Sequence, residues 1–261
     1  MNPIVTEAPK QARDRSLAKA RAVLNEGNHR LVLIVGILAC IVATVAVAMI
    51  VSAFDVAFDF VSLMGEPMAV ICMSLSQSVL CFFLVYPLYL GLFRMALGMS
   101  RGEPVDVAQL FGFYSSFRML WRAWRIQLRI LWNSFPLLLI SASSYVSLFS
   151  EIELIATVVL PVLGLVEPLL LFWGLFSSSR IFPFAMLALK EPALPLREAM
   201  KRAKTATRGR AFAVCAMRIR LIWRFLLSLL SIGVVTLLHV LPLTLLAYSE
   251  YSTELTKDNQ L

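Results

Sequence analysis

The sequence predicts an all-α fold: a polytopic transmembrane helical bundle of about six spans, with amphipathic interfacial helices and a parallel internal repeat. The first observation is composition, because 59% of the 261 residues are hydrophobic and only 15% are charged. A soluble domain carries about a quarter charged residues, so this apolar excess must face lipid. The second observation is that the apolar residues form long runs, and the third is that Lys and Arg lie in only some of the connections between them.

The apolar runs give the predicted spans. A helix needs about 20 mostly apolar residues to cross about 30 Å of hydrocarbon. The runs that meet this requirement are 31–53, 69–93, 128–148, 154–176, 212–234 and 237–255. The last two come from one stretch that Gly233 and Pro242 interrupt, so five spans are the alternative. A basic amphipathic segment, 1–30, precedes the membrane domain 31–255, and a polar tail, 256–261, follows it.

The basic residues predict the orientation. Of the 24 Lys and Arg, six lie in 1–30, six in 94–129, eleven in 180–224 and one at position 257, whereas the connections 54–68 and 149–153 contain none. The positive-inside rule places the basic connections in the cytoplasm. We therefore expect a multi-pass protein of a bacterial inner membrane with a cytoplasmic N-terminus and, with six spans, a cytoplasmic C-terminus. The net charge of +8 does not predict nucleic-acid binding, because the basic residues alternate with apolar runs.

Amphipathic segments are predicted between the spans. In 1–30, Leu17, Ala20 and Leu24 share one helical face, which either lies on anionic lipid or is part of a solvated helix. Further along, Glu103-Pro104 and Glu191-Pro192 stand 88 residues apart, and each precedes a predicted helix start. A span, an amphipathic helix and a second span thus occur twice, as in a parallel repeat. The alternative is that any hairpin with positive connections has this composition.

Several segments carry a resemblance to a known family. "LAKARAVLNEGNHRLVLIVGI" leads into the first span, "YPLYLGLFRMALGMSRGEPVDVAQLFGFYSSF" follows the second, and the last stretch contains Trp223, Gly233, Pro242 and Tyr251. This order resembles the bacterial integral membrane protein family catalogued as domain of unknown function 975. The resemblance covers nearly the whole chain and implies a helical membrane fold of about six spans. It implies no activity and supplies no site residues.

Glu167 is the strongest single candidate for a functional residue. It lies near the centre of span 154–176 and is followed by Pro168. A charged group at that depth is costly and normally has a partner in the bundle interior. We interpret Glu167 as a substrate or proton site, with Arg129 and His239 as possible partners. The alternative is a structural glutamic acid that is hydrogen-bonded to a serine or a backbone carbonyl.

Basic side chains near the membrane surface are the second group of candidates. Those of 190–204 are expected to contact anionic lipid headgroups or a protein partner, namely Arg197, Lys201, Arg202 and Lys204. The Trp and Arg residues of 121–129 are expected to anchor a helix at the headgroup level. The alternative for that segment is a binding site for an anion or a lipid headgroup.

Two common enzyme signatures are missing from the sequence. It contains no HExxH and no phosphate-binding glycine loop. We therefore expect a protein that is not an enzyme, with no catalytic residue, no metal and no cofactor. The expected partners are the lipid bilayer and anionic headgroups, and either a protein partner or a second copy of the chain. The predicted function is that of a transport-type protein or a membrane subunit of a transport or export assembly. The alternative is a non-catalytic scaffold, regulatory or immunity-type protein.

Overall fold

A computed structural model describes residues 9–149, 151–229 and 236–257, and within these ranges the chain forms only helices and their connections. The α-helices are α1 Pro9–Asn25, α2 His29–Phe58, α3 Phe60–Met64, α4 Glu66–Leu80, α5 Tyr86–Met99, α6 Phe117–Asn133, α7 Phe135–Val146, α8 Leu160–Arg180, α9 Phe184–Lys190, α10 Leu196–Ala206, α11 Ala211–Leu229 and α12 Leu241–Lys257. Short 3-10 helices cover Val107–Ser115 and Ser147–Phe149, and π-helical turns cover Cys81–Val85, Ile155–Val159 and Thr236–Val240. The predicted all-α class is confirmed for the described residues.

Three continuous helical stretches are long and apolar enough to cross a membrane: His29–Phe58, Glu66–Met99 and Ile155–Lys190. They contain the predicted spans 31–53 and 69–93 and all but the first residue of 154–176. With a rise of 1.5 Å per residue, α2 alone is about 45 Å long, more than a bilayer core requires. In the most apolar 18-residue window of Ile155–Lys190, no residue is buried inside the protein. A helix with such a surface is suited to a lipid environment.

The predicted span 128–148 is not one straight helix. Helices α6 and α7 meet at a bend of 75°, so together they form at most one broken span and raise the number of candidate crossings to four. Pro136 stands in the first turn of α7, where its missing N–H is tolerated, and a new helix therefore begins there. Helix α7 then packs on α8 so closely that a Cβ on Gly174 would lie 2.6 Å from Leu137 Cγ.

The last two predicted spans, 212–234 and 237–255, are not among the stretches that qualify, and six spans are not confirmed. Part of this region, 230–235, lies outside the described residues. Helix α12 instead lies along α1 in the opposite direction. Near one end Ser16 Oγ donates to Glu254 Oε2 over 2.6 Å, and near the other Arg30 Nε donates to the Leu238 carbonyl over 2.9 Å. The two helices therefore lie at the same end of the molecule.

The apolar face of α1 is covered by protein. Leu17, Ala20 and Leu24 are at most 6% exposed and belong to a buried cluster that includes residues of α12. Neither a lipid surface nor solvent covers this face, contrary to both interpretations of the sequence. The reason is that its partner, α12, is distant in sequence and could not be identified from the periodicity of α1 alone.

Helix α5 lies at the centre of the packed part of the protein. Its residues Leu92 and Met95 join a buried cluster with α1, α2, α11 and α12, whereas Leu90 and Leu97 join another with α6, α9 and α10. At Gly91 the 3-10 segment Val107–Ser115 crosses α5 at backbone distance, because a Cβ there would overlap the Leu110 carbonyl. This crossing fixes the chain immediately before α6.

The predicted internal repeat is not confirmed. Glu103-Pro104 leads to a 3-10 helix, Val107–Ser115, whereas α10 begins at Leu196, after the turn that contains Glu191-Pro192. The two segments also differ in their environment, since the first packs on α5 and the second on α9.

Candidate anion-binding cleft

Helix α6 has an arginine row on one face. The helix begins after Ser116, whose hydroxyl accepts a hydrogen bond from the backbone N–H of Met119 over 3.4 Å. Its arginines follow at intervals of four, three and four residues, a spacing that aligns side chains along one side of a helix: Arg118, Arg122, Arg125 and Arg129. A neighbouring face, with Ala123 and Ile126, is buried against α5, α9 and α10. The buried face holds the arginine row in a fixed orientation.

A third face of α6 is apolar, mainly aromatic and largely exposed. Phe117, Trp121, Leu128 and Trp132 are each more than half exposed. Trp124, on the same face, donates its indole N–H to the Phe83 carbonyl over 3.1 Å. A helix that combines exposed aromatic side chains with a row of cations is typical of the membrane interface.

Arg122 has a structural role within the row. Its Nη2 donates to the carbonyl oxygens of Ala188, Glu191 and Leu194 at 3.1, 3.3 and 3.3 Å. These carbonyls belong to the end of α9 and to the turn before α10, where a cation is favourable. Arg122 therefore fixes the turn 191–195 opposite the remaining arginines.

The cleft lies between the arginine row and this turn and has a volume of about 520 Å³. Four further arginines line it, and we call them the cleft arginines: Arg118, Arg125, Arg129 and Arg197. Arg129 lies close enough to Arg125 and Arg197 to experience both positive charges. Within the described ranges, none of the cleft arginines forms an ion pair.

The nearest acidic residues are already paired. Arg202 contacts Glu191 over 3.3 Å and Glu198 over 2.6 Å, so both carboxylates are paired with a cation that does not line the cleft. Like charges that share one cleft repel each other, and a bound anion would relieve that repulsion. A planar guanidinium also matches the geometry of phosphate and carboxylate oxygens. The cleft is therefore suited to an anionic ligand.

The residues predicted around Glu167 do not form one site. Glu167 faces α7, where Ser143 Oγ donates to its Oε1 over 2.6 Å. Arg129 lies in the cleft before the bend, and the exposed His239 lies in the π-helical turn before α12. In the part of the chain that the structure describes, neither of them forms an ion pair with Glu167.

The basic residues predicted to form one contact surface on α10 lie in different environments. Arg197 lines the cleft, Arg202 is paired with acidic residues, and Lys201 and Lys204 are exposed outside the cleft. From the sequence, Arg122 and Arg125 are expected to anchor the helix, with an anion or headgroup site as the alternative, whereas Arg118 has no predicted role. Their alignment with Arg129 was visible in the spacing, but the turn that faces them could only be found from the structure.

Metal-ligating side chains do not cluster in the described part of the chain. No group of three or more His, Cys, Asp and Glu residues there is arranged to hold a metal ion. Comparison with known proteins gives no family model, no curated protein and no solved structure that matches this sequence. The resemblance to a bacterial membrane family therefore stays a prediction.

Proposed function

We propose that this protein is a non-catalytic integral membrane protein that binds an anionic lipid headgroup in the arginine cleft, and that it acts as a scaffold or regulatory protein of the bacterial inner membrane. The observation that carries the proposal is the set of cleft arginines, which have no carboxylate partner in the described residues. In this proposal the cleft faces the cytoplasm, as the positive-inside rule predicts.

The surroundings of the cleft support a headgroup as the ligand. The exposed aromatic face of α6 adjoins the arginine row, and rings of this kind lie at the headgroup level of a bilayer. Basic pockets beside membrane helices bind acidic headgroups, and each nearby cation adds about 1 kcal/mol. Four candidate crossings would also return the chain to its starting side, in agreement with α1 and α12 lying side by side.

The test compares two double variants with the same loss of charge. Arg125→Gln/Arg129→Gln removes two cleft arginines, and Lys201→Gln/Lys204→Gln removes two exposed cations outside the cleft. Each protein is placed in phosphatidylcholine nanodiscs that contain a small fraction of phosphatidylglycerol, and bound lipid is measured by native mass spectrometry. We expect the cleft variant to bind phosphatidylglycerol about tenfold more weakly or worse, because charged hydrogen bonds are lost. The lysine variant should resemble the wild type.

Two results would contradict the proposal. The first is equal loss of phosphatidylglycerol binding in both double variants, which would indicate general surface charge. The second is unchanged binding in the cleft variant. Inorganic phosphate added as a competitor distinguishes the ligand's source, because displacement at millimolar phosphate would indicate a site for the free anion.

The second candidate function is that of a transport-type protein or a membrane subunit of a transport assembly. The observation that favours it is Glu167, a carboxyl group inside the apolar stretch Ile155–Lys190, next to Pro168. A proton-carrying role predicts that Glu167→Gln abolishes a pH-dependent flux in proteoliposomes. If the flux is unchanged in that variant while headgroup binding requires the cleft arginines, the scaffold function is favoured.

A further inference from the structure

A separate cavity lies on another side of α6. Its volume is about 490 Å³, and it shares no lining residue with the arginine cleft. Helices α5, α6, α11 and α12 and the segment around α9 contribute to its walls. Most of the lining side chains are apolar or aromatic, among them Tyr86, Tyr89, Phe93, Phe182 and Tyr248. The volume and the apolar lining are typical of small-molecule sites, in which a few polar groups orient the ligand.

Arg218 is the charged residue of this cavity. Its Nη1 donates to Ser178 Oγ over 2.5 Å, and its positive charge acts on the nearby hydroxyl of Tyr248. Among the described residues no carboxylate pairs with it. A guanidinium carries five N–H donors, so the bond to Ser178 leaves donors free. A half-buried cation among apolar walls is costly unless an anion compensates it.

Two neutral donors stand near this cation. Burial raises the pKa of Tyr248, and the positive charge of Arg218 opposes that shift. The phenol thus keeps its proton at neutral pH, and its O–H can donate to a ligand. Gln127 also lines the cavity, and its side chain has no hydrogen bond to the described residues. These groups provide donors and no negative charge.

We propose that this cavity binds an amphiphilic carboxylate, with the carboxylate held by Arg218 and Tyr248 and the apolar chain packed along the aromatic wall. A carboxylate matches the guanidinium fork, and one of its oxygens can also accept from the phenol. The apolar lining suits an aliphatic chain and excludes a strongly hydrated ligand. The inference goes beyond headgroup binding and involves different residues, so either can fail without the other.

The test uses decanoate as the probe and decanol as its uncharged counterpart. Binding of each to the whole protein in phosphatidylcholine nanodiscs is measured at equilibrium with labelled ligand, and partition into protein-free nanodiscs is subtracted. We expect decanoate to bind about tenfold more tightly than decanol, since charged hydrogen bonds are formed only with the carboxylate. Arg218→Gln should remove this preference for decanoate.

The matched control is Arg220→Gln, which removes a cation two residues away. Arg220 is about half exposed and lies 3.8 Å from Asp14, so its loss should change decanoate binding by less than about twofold. Tyr248→Phe supplies a second cavity variant if Arg218→Gln fails to fold, and it should weaken decanoate binding while decanol binding is unchanged. Equal affinity of the wild type for decanoate and decanol would overturn the proposal without any variant. A normal affinity for decanoate in Tyr248→Phe or Arg218→Gln would overturn it as well.

Discussion

The guanidinium of Arg122 donates to the Leu194 carbonyl over 3.3 Å, whereas Arg125, one turn further along the same helix, faces the cleft without an acidic partner in the described residues. Two residues of identical chemistry on one face therefore differ in role. Arg122 builds the opposite wall of the cleft, and Arg125 is available to a ligand. This difference separates variants that change the shape of the cleft from variants that change its charge.

The first prediction concerns the turn held by Arg122. Arg122→Gln removes hydrogen bonds to three carbonyl groups, so the amides of Glu191, Ala193 and Leu194 should exchange with deuterium faster, as hydrogen–deuterium exchange mass spectrometry can measure. Arg118→Gln removes a cleft cation without these bonds and should leave exchange in the turn unchanged. Equal acceleration in both variants would mean that charge, and not hydrogen bonding, holds the turn.

The second prediction concerns the crossing of α5 and the 3-10 segment. In Gly91→Ala the new Cβ meets the backbone carbonyl of Leu110, which cannot rotate away, so the variant should lose about 1–3 kcal/mol of unfolding free energy. Gly164→Ala is the control, because a Cβ there has no neighbour within 4 Å and alanine favours a helix. Thermal unfolding in detergent, followed by circular dichroism, compares the two. An equally stable Gly91→Ala protein would show that the close crossing is not retained in solution.

The third prediction concerns the contact between α1 and α12. Glu254 accepts from Ser16 over 2.6 Å and pairs with Lys19 over 3.2 Å, and it is less exposed than Lys19. Glu254→Ala leaves the buried hydroxyl of Ser16 without this acceptor and should cost about 1–2 kcal/mol. Lys19→Ala removes only an exposed partner and should cost less than about 1 kcal/mol. The same unfolding assay compares the loss of unfolding free energy in the two variants. A larger loss for Lys19→Ala than for Glu254→Ala would contradict the prediction.

The fourth prediction concerns the contribution of Glu167 to the stability of the protein. Ser143 Oγ lies 2.6 Å from Glu167 Oε1 and 2.8 Å from the Ile140 carbonyl oxygen. A glutamine can still accept from Ser143, so Glu167→Gln should keep the stability of the wild type. Glu167→Ala loses this hydrogen bond and should cost about 1 kcal/mol. If Glu167→Gln is as unstable as Glu167→Ala, the carboxyl group itself is required for the α7–α8 contact.

Structural features that depend only on a short stretch of sequence could be predicted. Length and hydropathy predicted the apolar helices His29–Phe58, Glu66–Met99 and Ile155–Lys190, because an apolar run reports directly on a lipid environment. The bend in 128–148 was missed because hydropathy measures composition and not direction. A local signal was present, since Ser134 and Pro136 are typical of the start of a new helix.

The features that could not be predicted from the sequence depend on contacts between residues that are distant in the chain. The stretch 237–255 is apolar enough to suggest a span, yet its buried Ser249, Glu250 and Ser252 are suited to a protein environment. Arg218 and Arg220 make the stretch 212–234 unusually basic for a span. The cleft and the cavity are built from residues far apart in sequence, such as Arg129 with Arg197 and Arg218 with Tyr248. Periodicity reports which face of a helix is apolar, but it does not identify the partner.

The pairing of Ser16 with Glu254 joins residues 238 positions apart, and this separation affects biogenesis. At 5–20 residues per second, a ribosome needs roughly 10 to 50 s to make the intervening chain. Throughout that interval the apolar face of α1 lacks α12, its main partner, so much of this face must lie on the bilayer surface or be held by a chaperone. A truncated chain that lacks α12 would keep this face uncovered and would be a substrate for quality-control proteolysis.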